Sequence, residues 1–186
     1  MTIDTDRLTV RDATDDDSYD VIGLVASCWS EYEGCVLDVD GEMPHLRAIA
    51  SAYAGWGGRL WVVVAGDRLV ATVGLVAGAA SEPSPRPSAD PLPKGEGTGA
   101  ASDDAELRML YVHRRWRKRG LGARLVELVE TEAASRGARE VFLWSDTRFE
   151  DAHRLYERLG YARAAETREL RDLSATVEYG YRRGLA

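Results

Sequence analysis

Long apolar runs are missing from this chain, and cysteine and histidine are scarce. Its 186 residues hold two cysteines and three histidines. No uninterrupted apolar stretch approaches the ~20 residues that a membrane-spanning helix needs, so no membrane role is expected. The opening segment, MTIDTDRLTVRDATDDD, is acidic and has no apolar core, so it does not read as a secretion signal. Cys28 and Cys35 form no Cys-x-x-Cys, and no His follows at a metal-ligand spacing, so no metal is expected. Two reduced thiols in a cytoplasmic protein are the expectation, with one disulfide as the formal alternative. Neither His-Glu-x-x-His nor Gly-x-Ser-x-Gly occurs, which removes the usual support for metalloprotease or serine-hydrolase chemistry. Basic charge is also short. The net charge is −7 and the isoelectric point about 5.1, which argues against a dedicated nucleic-acid binder.

What is present suits a single domain over residues 1–186: 45% of residues are hydrophobic and 30% charged. RLTVRD, residues 7–12, alternates like a short strand. Thr14 followed by Asp15, Asp16 and Asp17 is a helix start, and Val21, Leu24, Val25 and Cys28 give that helix its apolar face. A second helix is expected from about Leu46 to Tyr53. LWVVVA and LVATVGLVA, separated by Gly66-Asp67, predict a hairpin. Residues 79–103 hold five of the six prolines and read as a surface loop inserted between strands. AELRMLYV then reads as a strand. GLGARLVELVETEAASRG reads as a helix stopped by Gly137, and REVFLWS as another strand. DAHRLYERLG is a short helix ending at Gly160, and two further strands close the chain. The order β-α-α-β-β-β-α-β-α-β-β predicts an α/β domain of the α+β kind. Its sheet should be mostly antiparallel, with one parallel crossover around the GLG helix.

The stretch RRWRKRGLGARLVELVE, residues 114–130, crowds five cations and a Trp ahead of a Gly-x-Gly and an apolar-periodic run. A helix N-terminus offers unpaired backbone N–H groups and partial positive charge, and glycines there allow close approach of an anion. That combination suits a pyrophosphate, with Arg117, Lys118 and Arg119 adding attraction. It is neither a Walker A loop nor a Rossmann fingerprint, since Leu125 stands where the third glycine would be. The same stretch also fits a plain strand-to-helix turn with solvated arginines. Arg114 and Trp116 carry no motif.

Taken together, ELRMLYV, Arg117-x-x-Gly120-x-Gly122, the apolar helix, the next strand and AHRLYERLGY resemble the GCN5-related N-acetyltransferase (GNAT) superfamily over residues 106–161. The resemblance implies a GNAT-like fold: a mixed, mostly antiparallel sheet of about seven strands with about four helices, splayed between its two middle strands. It implies acetyl-CoA as co-substrate, without a metal. Leu110, Tyr111 and Val112 would offer backbone groups to the pantetheine arm. The turn of Arg117, Lys118, Arg119, Gly120, Leu121, Gly122 and Ala123 would hold the pyrophosphate.

The implied reaction is acetyl transfer to a primary amine by direct attack in a ternary complex. It needs a neutral amine, a stabilised oxyanion and a protonated leaving thiolate. Tyr156 matches the family's acid and Glu106 the glutamate that some members use as a base. Their alternatives are a Tyr packed in the core and a strand carboxylate in solvent or paired with Arg108. Strand alternation puts Glu106, Arg108 and Leu110 on one face. Phe149 stands where many members carry Asn, so a contact to the coenzyme is missing or is supplied by Asp146 or Asp151. This departure keeps open a non-catalytic acyl-CoA-binding module on the same fold. His45, His113 and His153 are scattered, and His153 is expected on a solvent-exposed helix position.

The resemblance places the acceptor among the first helices, the strand loops and the last hairpin. Glu31, Glu33, Asp38, Asp40, Glu42 and Glu178 lie in those parts, and a negative cleft would steer in a cationic amine. Solvated surface acids are the equal alternative. The expected partner is a small amine such as an amino acid, polyamine or aminoglycoside, with a protein amine still open. A homodimer enters only by analogy with the superfamily.

Overall fold

The computed structural model describes residues 8–77 and 104–185. The Pro-rich loop expected at 79–103, and Arg7 of the first strand, lie outside the described residues. In chain order the elements are β1 (Leu8–Asp12), α1 (Ser18–Trp29), α2 (Ile49–Gly55), β2 (Arg59–Ala65), β3 (Arg68–Ala77) and β4 (Asp104–Val112). Then follow α3 (Leu121–Ser135), β5 (Glu140–Asp146), α4 (Glu150–Arg158), β6 (Ala162–Glu169) and β7 (Val177–Gly184). This is the order expected from the sequence. Boundaries shift by a few residues, most clearly ahead of the first two helices. Asp15–Asp17 forms a 3₁₀ turn ahead of α1, and Pro44–Ala48 forms another ahead of α2.

The seven strands form one sheet in the order β1-β2-β3-β4-β5-β7-β6. Every pairing is antiparallel except β4 with β5. Gly66 and Asp67 make the two-residue turn between β2 and β3, with Ala65 opposite Arg68 and Gly66 at φ 65°. Alternation divides the core between the two faces of the sheet. Trp61, Val63, Val73 and Leu75 pack on Leu125, Val126 and Val129 of α3. Leu60, Val62 and Val76 pack on Val21 and Val25 of α1 and on Ile49 and Tyr53 of α2. Burying each such side chain contributes about 1.5–3 kcal/mol. Gly74 is required here, because a Cβ on it would stand 2.4 Å from the Tyr53 ring.

The parallel pairing of β4 and β5 is short. It joins Asp104 to Glu140, Ala105 to Val141 and Glu106 to Phe142, and there it stops. Beyond Glu106, β4 continues to Val112 against β3 alone, while β5 continues to Asp146 against β7. Over Leu107–Val112 the β5-facing edge of β4 therefore has no strand partner among the described residues, and the sheet opens into a V.

A bulge lies in the same segment. Gly74 opposes Arg108 and Thr72 opposes Tyr111, so β4 carries one residue more than β3, and Met109 takes φ 54°. The extra residue inverts the alternation. Leu107, Leu110 and Val112 pack on the α3 side, while Met109 and Tyr111 pack on the α1 side. The expected shared face of Glu106, Arg108 and Leu110 is thus corrected: the first two share it, and the bulge turns Leu110 to the other.

The start of α1 is fixed by Asp17, whose carboxylate accepts from Thr14 N (2.8 Å) and from both Arg11 Nη atoms (2.7 Å each). The Arg11 hydrogen bonds hold the Asp17 carboxyl down from 3.8 to about 2. A depressed folded-state pKa means that this contribution is complete above pH 3.8 and is lost as pH falls through about 2. Because Arg11 is half-exposed, the contribution is about 1–2 kcal/mol rather than the full shift. Asp17→Asn is expected to lower the melting temperature at pH 6 and to remove part of the acid limb between pH 4 and 2. Parallel melting curves across that range would contradict this account.

Candidate active site

The V holds a cleft of two lobes that meet at Leu110, Tyr111, Phe149 and Ala152. Tyr111 is fixed at the junction by Trp29, whose indole Nε1 donates to the Tyr111 hydroxyl at 3.0 Å.

One lobe, of about 260 Å³, lies over the start of α3. Gly120 is the N-cap of that helix, at φ 79°, and no side chain caps the end. The N–H groups of Leu121, Gly122 and Ala123, in the first turn, therefore have no intrahelical partner. Lys118 is also left-handed, at φ 60°, so the turn curls its backbone around the helix end. Gly122 lies against α4, where an added Cβ would meet Leu155 Cδ2 at 3.1 Å.

Of the expected turn residues, Arg117, Lys118, Gly120, Gly122 and Ala123 line this lobe. Leu121 is 8% exposed and packs its side chain into the core. Arg119 stacks over Trp116, 5.5 Å from the ring centroid, so its side chain does not line the lobe. The Arg117 guanidinium turns inward. Its Nε donates to Val112 O, and its two Nη atoms donate to the Glu31 carboxylate, each at 2.8 Å. It ties the end of β4 to the end of α1 instead of reaching outward. Cys28 lies beside it, 3.5 Å from Nη2, and burial pushes that thiol up. Cys28 and Cys35 are both free thiols, as expected. Arg158 of α4 adds a cation that no motif had marked.

The other lobe has a cavity of about 230 Å³ and contains Glu106 and Tyr156. Glu106 is the last paired residue of β4 before the opening and is 5% exposed. Its Oε2 accepts from Arg108 Nη2 at 2.5 Å, and Oε1 has no partner among the described residues. Tyr156 stands on α4 with its ring against Tyr161 and Tyr181, at 5.8 and 5.6 Å. Its hydroxyl has no hydrogen-bond partner among the described residues, and burial pushes its pKa up, so it stays protonated. His45, in the 3₁₀ turn before α2, also lines this lobe. Burial, and secondarily Arg108, push it down to about 4, so it is neutral at pH 7.

Other sequence expectations change here. His153 is buried, not solvent-exposed: its Nε2 lies 2.9 Å from Asp146 O, and its ring stacks on Tyr181. The inward face of a short amphipathic helix takes His153 together with Tyr156, three residues on. Asp146 is not available in place of the usual Asn, because its carboxylate is held by the N, Nε and Nη2 of Arg148. Asp151 does line the first lobe, with its carboxylate 3.0 Å from Arg154. Phe149 lines both lobes and packs on Tyr32, centroid to centroid 4.7 Å.

Of the six acids expected around the acceptor, only Glu42 and Glu178 line the second lobe. Glu31 holds Arg117, and Asp40 pairs with Arg47 at the surface. Asp38 accepts from Gly41 N, closing its own loop. The lobe is roofed by two loops stitched together. Val36 N donates to Ser174 Oγ (2.8 Å), and Leu173 N donates to Glu42 Oε1 (2.6 Å).

Comparison with known proteins agrees with this geometry. The sequence profile of the Acetyltransferase (GNAT) family matches residues 23–161. The chain belongs to that family. A GNAT-family acetyltransferase of Staphylococcus aureus Mu50 is 16% identical, with a TM-score of 0.70 over 96% of this chain and 99% of its own. YncA of Salmonella typhimurium, solved with its cofactor acetyl-CoA, is 14% identical, with a TM-score of 0.67 over 97% and 95%. A GNAT-family acetyltransferase of Streptococcus pneumoniae is 17% identical, with a TM-score of 0.66 over 96% and 99%. At these identities the likeness is one of fold. No relative among curated proteins matches the sequence at a significant level. Among the described residues no helix is long and apolar enough to cross a membrane, and no cluster of potential metal ligands occurs.

The Glu106–Arg108 pair has a structural consequence that can be measured apart from chemistry. The Arg108 side chain is only 15% exposed. Glu106→Ala strips it of its carboxylate and is expected to cost about 3 kcal/mol in urea denaturation. Glu106→Gln keeps an acceptor oxygen and should cost about 1 kcal/mol. Equal losses in the two variants would show that the ion pair does not hold this part of the cleft.

Proposed function

We propose that this family member is an acetyl-CoA-dependent N-acetyltransferase acting on a primary amine by direct attack in a ternary complex. One observation carries the reading. An uncapped helix N-terminus in one lobe meets, across the opened edge of β4, a buried carboxylate and a tyrosine hydroxyl with no partner among the described residues in the other.

The residues suit the co-substrate. A pyrophosphate matches the free N–H groups of Leu121, Gly122 and Ala123, with Lys118 and Arg158 as nearby cations. A side-chain cap at position 120 would compete for those N–H groups, and glycine supplies none. The edge of β4 over Leu110, Tyr111 and Val112, unpaired with β5, offers amide partners for an extended pantetheine arm, apart from Val112 O, which Arg117 holds. Acetyl-CoA, when bound, supplies the acetyl group as a thioester.

The chain's own groups then divide the proton work. Glu106 Oε1 accepts a proton from the acceptor's ammonium, which frees the nitrogen lone pair for attack. Arg108 holds Oε2 and so fixes the direction of the carboxylate. The Tyr156 hydroxyl, kept protonated by burial, donates its proton to the sulfur as the C–S bond breaks, and the second proton that the attacking nitrogen sheds as the amide forms restores it. The unpaired N–H groups of the β4 edge stand beside the opening, where an oxyanion needs donors. Tyr111, pinned by Trp29, keeps the two lobes in register.

A thiol-release assay over a panel of primary amines tests the reading, with calorimetry reporting acetyl-CoA binding independently. Release with at least one amine is expected. Binding without release would favour an acyl-CoA-binding module, a role for which Phe149 in both lobes is the motive. Tyr156→Phe and Glu106→Gln are each expected to lower kcat by about 10²–10⁴-fold, with acetyl-CoA affinity retained.

A further inference from the structure

Resting on that reading, we propose that the acceptor is a zwitterionic small molecule of the amino-acid type. Its carboxylate is taken by Arg168 and Arg171 of the β6–β7 hairpin, while its amine lies at Glu106.

The charges around the acceptor lobe carry the argument. Its carboxylates are already engaged by the protein. Glu106 is held by Arg108, Asp146 by Arg148 and Glu178 by Arg168. Glu42 accepts from Leu173 N, and Asp172 Oδ1 accepts from Thr176 N at 2.8 Å. The arginines are not all engaged. Arg171 lines the lobe and has no ion-pair or hydrogen-bond partner among the described residues. Arg168 gives Nε and Nη2 to the single oxygen Glu178 Oε2, at 2.7 and 2.5 Å, and its Nη1 has no partner among the described residues.

Arg168 is also prepared to bind. Its guanidinium lies over Trp144, 4.3 Å from the ring centroid, and its side chain is 17% exposed. A stacked, pre-oriented guanidinium loses little entropy when it meets a carboxylate. A purely cationic amine would enter a lobe with three arginines on its wall, Arg108, Arg168 and Arg171, where each lining carboxylate among the described residues already has a partner on at least one oxygen. An amine that also carries a carboxylate meets complementary charge at both ends. His45, neutral at pH 7, adds no charge that would alter this balance.

Burial sets the orientation. Glu106 is buried at the point where β4 and β5 part, whereas Arg171 is exposed beyond the end of β6. The amine therefore goes to the closed end, beside Tyr156, and the carboxylate stays at the mouth.

The test compares the twenty proteinogenic amino acids with their carboxamides and decarboxylated amines, by thiol release with acetyl-CoA. The best acceptor is expected among the free acids. Its amide should have a kcat/KM about 10–100-fold lower, the range for losing a charge-assisted hydrogen bond. Arg171→Gln should shrink the acid-to-amide ratio by a similar factor, mainly through KM. Arg168→Lys should do so partially, while keeping a cation for Glu178. An amide or decarboxylated amine accepted as well as the acid would overturn the assignment and leave the acetyltransferase reading standing. So would an unchanged ratio in Arg171→Gln. If calorimetry shows acetyl-CoA binding but no member of any series releases thiol, the acetyltransferase reading falls, and this inference with it.

Discussion

The parting of β4 from β5 after Glu106 and Phe142 is the constraint on which the rest of the molecule depends. A sheet that stayed zipped would satisfy its backbone and leave no cleft. Here Leu107–Val112 of β4 have no strand partner on one side among the described residues, so their backbone groups there need other partners. Three arrangements support the opening. β5 keeps its full ladder with β7, so the sheet does not end at the gap. The Met109 bulge sends Leu110 to the α3 core and Tyr111 to the α1 side, which anchors the lone edge on both faces. Arg117 and Cys28 both reach Val112 O from beside the cleft and fasten the end of β4.

The two lobes are chemically unlike because they are built from different kinds of group. In the α3 lobe the useful donors are backbone N–H groups of a helix whose cap has no side chain, and Arg117, one of three cations expected to attract a phosphate, is held by Glu31. In the second lobe side chains dominate, and nearly every charge is held in a pair. Such pairing fixes directions: Arg108 aims Glu106, and Glu178 steadies Arg168 on Trp144.

Most of the fold was legible because its signals are local. The Gly66-Asp67 turn, the Gly-x-Gly before α3 and the stops at Gly137 and Gly160 each act on their neighbours, and the element order followed from them. What escaped was non-local. Nothing in ELRMLYV announces a bulge, since the residue at positive φ is Met109 and not glycine, so strict alternation misplaced Leu110. His153 looked like a solvent residue because its helix is polar by composition, yet the periodicity that brought Tyr156 inward brings His153 as well. The resemblance named Glu106, Tyr156 and the α3 turn as candidates, and these residues line one two-lobed cleft. It said nothing of Arg168, Arg171, Arg158 or His45, which lie on segments with no motif and come together only through the strand order. The acidic residues of the α1–α2 segment suggested a negative cleft, but charge read along a chain does not tell which acids already hold a partner.

The bare end of α3 also bears on the protein's stability. The N–H groups behind Gly120 are hydrogen-bonding capacity for which no side-chain cap is present among the described residues. Any anion that docks there selects the folded state by mass action, adding about 2.7 kcal/mol at a concentration one hundred times its dissociation constant. Melting temperature then becomes a reporter of how fully that helix end is occupied. A molecule whose helix end stands empty is the less durable one.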